Sequence, residues 1–373
     1  MELFYSDSVE PIVEELFKLE QYTQRTPEWL EARMKCITAS DIATVLKQSE
    51  KTTAEYIRQF NIQNFKVNPK KSCNPYNTEK EFILKKCGLG TPFLGNQYTY
   101  WGQKYEPIVT CLYQQKEQVD VLEFGLLFHP KVSFLAASPD GITSKGVMLE
   151  IKCPSRRQVH TVPPLEYFHQ MQLQMEVCGL DECDFFDASF MEYHHEDDWL
   201  AAAQLWWQEN PDSSFHLFGI ILSIVDEDQE PPVYVYAPLS VKTIAEFQTW
   251  ANTTNNQGYM EGISYDYHYY HLEKYHQVRV KADKNWLTNN LEDLDQIWKK
   301  VIYHRTDLGK EELVKKNTRT SAGVSASSSG LTVKLTDNFK ILDLSKKKPS
   351  ALVHTPLFDE RRRSFRIKER QKV

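Results

Sequence analysis

Apolar residues return at helical spacing from Leu165 to Cys178, with Leu173 and Val177 marking a buried side and Gly179 supplying the stop, so the segment after Pro163-Pro164 is expected as a helix. Gln170 and Gln174 fall one turn apart on it, close to the face that carries Tyr167. A second stripe, Leu291, Leu294, Ile297, Trp298 and Val301, predicts a helix over 286–305, and a further helical stretch is expected near 239–252. Strands are expected at 185–191, and at 216–225 and 233–238 on either side of an acidic, proline-containing turn. Residues 142–148 place a small turn, Ser144-Lys145-Gly146, between apolar neighbours, which predicts a hairpin with Asp140 on one strand and Glu150 on the next. Residues 259–275 form an aromatic cluster with His268, His271 and His276 nearby, read either as a tyrosine-rich packing surface or as a metal or base-stacking site.

Composition narrows the class without naming a chemistry. A chain of 373 residues, 41% hydrophobic and 25% charged, can bury a sizeable core in one large domain with additions or in two domains. The seven cysteines are scattered without paired metal-ligand spacing, and no apolar run reaches membrane-spanning length, so reduced thiols, an intracellular location and no membrane partner are expected. The net charge of −7 is unevenly spread, for 340–373 holds eleven Lys or Arg against four Asp or Glu and leaves the rest near −14. Residues 315–330, rich in Ser, Ala, Thr and Lys, read as a linker to that basic tail, which suits DNA phosphates, nuclear import, an acidic partner, or plain solvation.

Ser138-Pro139-Asp140-Gly141 and Glu150-Ile151-Lys152 hold the densest candidate chemistry. Two carboxylates on adjacent strands repel unless a cation lies between them. A hard divalent ion such as Mg²⁺, or Mn²⁺, held by Asp140, Glu150 and the carbonyl of Ile151 would activate water and neutralise a phosphodiester. Strand alternation sends Glu150 and Lys152 to one face and Ile151 to the other, and the lysine adds a fixed charge that can orient water or stabilise the transition state.

These motifs, followed by Tyr167-Phe168-His169-Gln170-Met171-Gln172, together with Trp29 to Ser40 and Trp101 to Pro107 upstream, resemble the lambda-exonuclease and YqaJ-type viral recombinase family, a branch of the restriction-endonuclease-like superfamily. The resemblance spans roughly 25–192, about half of the chain. It implies an α/β fold with a restriction-endonuclease-like core, a mixed β-sheet flanked by helices and C-terminal additions. The expected division is a nuclease core at 1–200, an extension packed on it at 201–314, and a linker with basic tail at 315–373. Asp140 and Glu150 would be metal ligands, Lys152 the catalytic lysine, Glu106 an accessory acid, and Gln170 a residue positioning water or substrate. Arg33 and Ser40 match a pair that grips a terminal 5′-phosphate, where the planar guanidinium suits phosphate oxygens. Ser40-Asp41, opening the apolar stretch Ile42, Val45 and Leu46, resembles a helix N-terminus, so an ordinary N-cap is the other reading of Ser40.

The implied activity is a metal-dependent 5′→3′ exonuclease on double-stranded DNA ends in viral recombination, replication or repair. An endonuclease or single-strand nuclease on the same site, and a DNA-binding protein without catalysis, are the alternatives. The resemblance further implies a homo-oligomer, a trimer by analogy, a single-strand annealing partner, and a host cytoplasmic or nuclear setting. One position departs from the family pattern: Pro130 stands where an additional acid is expected, which leaves one or two metals open, with His129 or, less strongly, Glu123 as substitute ligands.

Overall fold

The computed structural model describes residues 8–90, 95–210, 217–225, 232–238 and 240–313; the expected linker and basic tail lie outside the described residues. In chain order, α1 (Pro11–Lys18) and α2 (Pro27–Met34) precede β1 (Ile37–Thr38), followed by α3 (Ala39–Val45), α4 (Glu50–Phe60), α5 (Glu79–Lys86) and α6 (Gln97–Glu117). Five strands come next: β2 (Val121–Leu122), β3 (Leu127–Phe128), β4 (Leu135–Ala137), β5 (Gly141–Thr143) and β6 (Met148–Lys152). Then follow α7 (Leu165–Cys178), β7 (Glu182–Tyr193), α8 (Glu196–Glu209), β8 (Phe218–Ile224), β9 (Tyr234–Tyr236), α9 (Ile244–Met260), β10 (Tyr265–Lys281) and α10 (Trp286–His304).

Seven strands form one mixed sheet in the order β2-β5-β6-β7-β10-β8-β9, and β1, β4 and β3 form a smaller one. This is the mixed sheet flanked by helices that the resemblance implied. Within the large sheet β6 and β7 run parallel, with α7 as the crossover, while β5 and β6 form the antiparallel hairpin expected around the Ser144-Lys145-Gly146 turn. Gly146 takes φ +77° there, the left-handed conformation that glycine adopts without a Cβ clash.

Alternation along β6 and β7 sorts the two faces of the sheet. Leu149, Ile151 and Phe186 join Tyr105, Val109 and Phe190 in a core under α6. Glu150 and Phe185 point the other way, toward α7, where Tyr167 stacks on Phe185 at 5.7 Å. A second apolar cluster, centred on Trp199, Ile220 and Leu222, packs α8 and α9 against the far strands. Residues 201–281 thus add β8, β9 and β10 to the same sheet that carries the hairpin.

The aromatic segment is the largest departure from the expected elements, because β10 runs unbroken for 17 residues between β7 and β8. Tyr270 is buried, His268 meets Ser223 Oγ at 2.8 Å, and His271 meets the Tyr193 hydroxyl at 2.8 Å. The segment is therefore a packing surface, and among the described residues no three His, Cys, Asp or Glu side chains converge as a metal cluster. The helix expected from 239 begins at Ile244, set by a Thr243–Glu246 capping box. Among the described residues no helix is long and apolar enough to cross a membrane, and the seven cysteines form no disulfide.

The chain divides into two compact units, Leu3–Tyr303 and one that gathers Met1–Glu2 with His304–Val373. The second is described only at 304–313, where His304 donates from Nδ1 to the carbonyl of Gly309 at 2.9 Å.

Candidate active site

Asp140 precedes β5 by one residue, so the β5–β6 register brings it beside Glu150. Its Oδ2 accepts the amide of Ile151 at 2.7 Å, which fixes the carboxylate against β6. Glu150 is fully buried and gathers three donors: Lys152 Nζ and Gln170 Nε2 at 2.7 Å on Oε1, and Gln174 Nε2 at 2.8 Å on Oε2. Lys152 lies over the ring of Tyr167, 4.8 Å from its centroid. Residue by residue, a strand supplies the acid and the lysine, and successive turns of one helix supply the two amides that hold the acid.

The electrostatics of this cluster are those of a site short of positive charge. Burial, then the charges of Glu150 and Glu106, push the Asp140 carboxyl well above its ordinary range, against the pull of Lys152 and the Ile151 amide. Burial alone would favour neutral Lys152, yet Glu150 and Asp140 overcome it and hold the ammonium charged. Glu106, on α6, is likewise raised by burial and by Glu150, although Arg25 and Lys152 oppose the shift. Arg25 Nη2 reaches Glu106 Oε2 at 3.2 Å.

The candidate anion pair sits across the Ser-Pro-Asp-Gly turn from this cluster. Arg33 Nη2 donates to Ser40 Oγ at 2.8 Å, and its guanidinium lies 4.3 Å over the Trp29 ring. Trp29 Nε1 donates to Ser138 Oγ at 3.0 Å, tying α2 to the turn that carries Asp140. Gln24 Nε2 donates to the carbonyls of Phe124 (2.9 Å) and Pro139 (3.0 Å), a second tie to the same turn. The N-cap reading of Ser40 is corrected: α3 begins at Ala39 behind Thr38, whose amide and hydroxyl both donate to Asp41, and Ser40 is an exposed first-turn residue.

His129 does not stand in for the acid missing at Pro130. Its Nδ1 accepts the amides of Lys131 (3.1 Å) and Val132 (2.9 Å) in the turn, while Nε2 faces Glu176 of α7 at 3.4 Å, so both ring nitrogens of this buried side chain are engaged. Sequence reasoning gives a site role to Gln170 alone, names Gln174, Trp29 and Ser138 only as members of motifs, and does not single out Gln24 or Arg25. The four-residue spacing of the glutamines was the one visible signal for Gln174. Nothing local marks Gln24 or Arg25, whose partners are 100 to 115 and 81 positions away.

The expected donors to a cation, Asp140, Glu150 and the Ile151 carbonyl, would be two carboxylates and a peptide oxygen, with Glu106 nearby, although among the described residues no three His, Cys, Asp or Glu side chains gather as a metal cluster. Oxygen donors of this kind suit a hard divalent ion, and burial beside Glu150 and Glu106 disfavours the ionised form of Asp140 when no cation is bound.

The mixed sheet thus carries buried Glu150, half-buried Asp140 and Lys152 beside the helix that bears the two glutamines. Residues 28–181 match the model of the YqaJ-like viral recombinase domain family. Uncharacterized protein R354 of Acanthamoeba polyphaga mimivirus is 27% identical over 332 residues, covering 80% of this chain; the chain spans 56% of that relative's length. Among solved structures, the alkaline exonuclease LHK-Exo from Laribacter hongkongensis aligns over 80% of this chain and all of its own, at 18% identity and TM-score 0.39. A phage-related exonuclease from Haemophilus somnus 129PT aligns over 71% of this chain and 92% of its own, at 13% identity and TM-score 0.38.

Proposed function

We propose that this chain is a metal-dependent deoxyribonuclease that removes nucleotides from 5′ ends of double-stranded DNA in viral DNA recombination, replication or repair. The observation that carries the reading is the convergence of Lys152, Gln170 and Gln174 on Glu150, with Asp140 held alongside by the Ile151 amide. The match of 28–181 to a viral recombinase domain supports a DNA substrate.

When bound at Asp140, Glu150 and the Ile151 carbonyl, Mg²⁺ or Mn²⁺ supplies Lewis acidity to the attacked phosphodiester. Lys152, kept charged by its two carboxylate neighbours, holds a positive charge where negative charge develops on phosphorus-bound oxygen. Gln170 and Gln174 fix the rotamer of Glu150, and Glu150 in turn fixes Lys152, so the lysine is positioned before substrate arrives. Glu106, biased toward its protonated form, adds a group able to exchange a proton at the rim. Arg33 and Ser40 offer a terminal phosphate a guanidinium fork and a hydroxyl, which favours 5′-phosphorylated ends over internal bonds.

Digestion of end-labelled linear duplex, 5′-phosphorylated or 5′-hydroxyl, beside a covalently closed circle tests the proposal in Mg²⁺, Mn²⁺ or EDTA. Metal-dependent release of mononucleotides from 5′-phosphate ends with the circle intact is expected. Nicking of the circle moves the activity to an endonuclease, and no cleavage in either metal refutes catalysis.

A further inference from the structure

Behind the Arg33–Ser40 pair lies a buried ion pair that the acid cluster does not use. Lys86, the last residue of α5, is 3% exposed. Its Nζ stands 2.7 Å from Asp41 Oδ2 and also donates to the main-chain carbonyl of Arg33 at 2.7 Å. The same Asp41 oxygen accepts the Thr38 hydroxyl at 2.7 Å, and that hydroxyl lies 3.1 Å from Ser40 Oγ. Ser40 Oγ accepts from Arg33 Nη2, so the contacts close a ring from the Arg33 side chain through Ser40, Thr38, Asp41 and Lys86 back to the Arg33 backbone.

The ring joins two helix ends. The Arg33 carbonyl belongs to the last turn of α2, where carbonyls lack helical partners, and Thr38 with Asp41 forms the start of α3. Lys86, from a third helix, touches both ends, and the Arg33 side chain links them directly through Ser40. A buried pair gives little net stability over an apolar replacement of the same shape, because desolvation offsets attraction; its main effect is the geometry it imposes. Here that geometry is the spacing between a guanidinium fork and a hydroxyl, which binding of a planar-matched phosphate requires. Lys86 is almost fully buried, with its ammonium engaged by Asp41 and the Arg33 carbonyl, so it acts through position.

We propose that Lys86 and Asp41 are positioning residues for the Arg33–Ser40 anion pocket and set the preference for 5′-phosphorylated ends; this rests on the reading of Arg33 and Ser40 as phosphate contacts. The full chain is assayed for kcat and KM on duplexes with 5′-phosphate or 5′-hydroxyl ends, for the wild type, Arg33→Ala, Lys86→Met and the charge-balanced double variant Lys86→Met/Asp41→Asn. Both Lys86 variants are expected to lower the 5′-phosphate to 5′-hydroxyl ratio by about tenfold, chiefly through KM on phosphorylated ends, as misalignment of a charge-assisted contact would. The double variant buries no lone charge, so it answers the question if circular dichroism shows Lys86→Met to be unfolded. A lost preference in Arg33→Ala with an unchanged ratio in the double variant overturns the positioning role and leaves the phosphate reading standing. Equal falls on both kinds of end also overturn it, since they mark a merely structural effect. An unchanged ratio in Arg33→Ala overturns the phosphate reading itself.

Discussion

Replacing Asp140 by Asn should stabilise the metal-free protein and abolish its response to metal, two effects of opposite sign from one atom-for-atom change. The register places Asp140 opposite Glu150, one step beyond the Gly141–Leu149 pair. Directly opposed positions have Cβ atoms about 5 Å apart, and two unit charges at roughly 5 Å with an effective dielectric of about 20 repel by about 3 kcal/mol. Lys152 offsets part of this, so a gain of about 1–2 kcal/mol is expected for Asp140→Asn in EDTA, seen as a rise of a few degrees in Tm. Asn keeps an oxygen for the Ile151 amide, so no hydrogen bond is lost with the charge. Because folding raises the Asp140 pKa, its contribution is complete below the unfolded value of about 3.9 and is lost as pH rises through the folded value; the advantage of Asn in EDTA therefore grows with pH. With Mg²⁺ at about a hundred times its Kd, wild type gains about 2.7 kcal/mol, and Asp140→Asn gains far less. Thermal melts of both proteins in EDTA and Mg²⁺, from about pH 5 to about pH 8, check this. A lower Tm for Asp140→Asn in EDTA at the alkaline end, or equal Mg²⁺ stabilisation of both, would refute the assignment.

Gln174→Leu removes a hydrogen bond to a buried carboxylate, a contact of about 1.5–3 kcal/mol, and should lower kcat about tenfold or more; turnover equal to wild type would show that Gln170 alone holds Glu150. Asp41 is pushed up by burial but held well below the usual carboxylate range by Lys86, Lys85 and Arg33, so its stabilisation is complete above the unfolded value of about 3.9 and fades as pH falls below it. The stability gap between wild type and Asp41→Asn, read by urea unfolding, should therefore shrink in acid, and a gap that widens there contradicts the ion pair. Gly125→Ala would set a Cβ 2.1 Å from the Tyr22 carbonyl, across the Tyr22–Leu126 bridge that leads into Gln24 and Arg25. Overpacking against backbone should cost about 1–3 kcal/mol, and an unchanged urea midpoint would show that the segment can move aside.

The acid pair and lysine were legible because a hairpin is local: a short turn and a period of two specify which residues face each other. The glutamine helix was legible for the same reason, through its apolar stripe and its glycine stop. What the glutamines touch was not, since the approach of α7 to β6 is set by packing across the whole sheet. The two-residue difference between Ser40 and Thr38 at the start of α3 reflects a cap chosen by Asp41, whose burial against Lys86 no local pattern announces. Residues 265–281 hid a strand because the alternation at its two ends, 265–269 and 277–281, is interrupted by the run Tyr269-Tyr270-His271-Leu272 and by a register shift between Leu272 and Lys274. The Arg25–Glu106 pair, 81 positions apart, has no sequence signature at all.

Strand β10 makes the order of synthesis matter. β7 lies directly beside β6, the strand of Glu150 and Lys152, and on its other side it pairs with β10 from Tyr193–Tyr269 through Glu182–Lys281. Until residue 281 has left the ribosome, the neighbour of the active strand is an open edge twelve residues long, with unpaired amides and carbonyls along its length. A chain cut before β10 would present that edge to other chains, and its fate would be intermolecular strand pairing rather than a smaller enzyme. The acid cluster is complete in sequence by Gln174, but its neighbouring strand is closed off only about a hundred residues later, when a tyrosine-rich strand takes its place in the sheet.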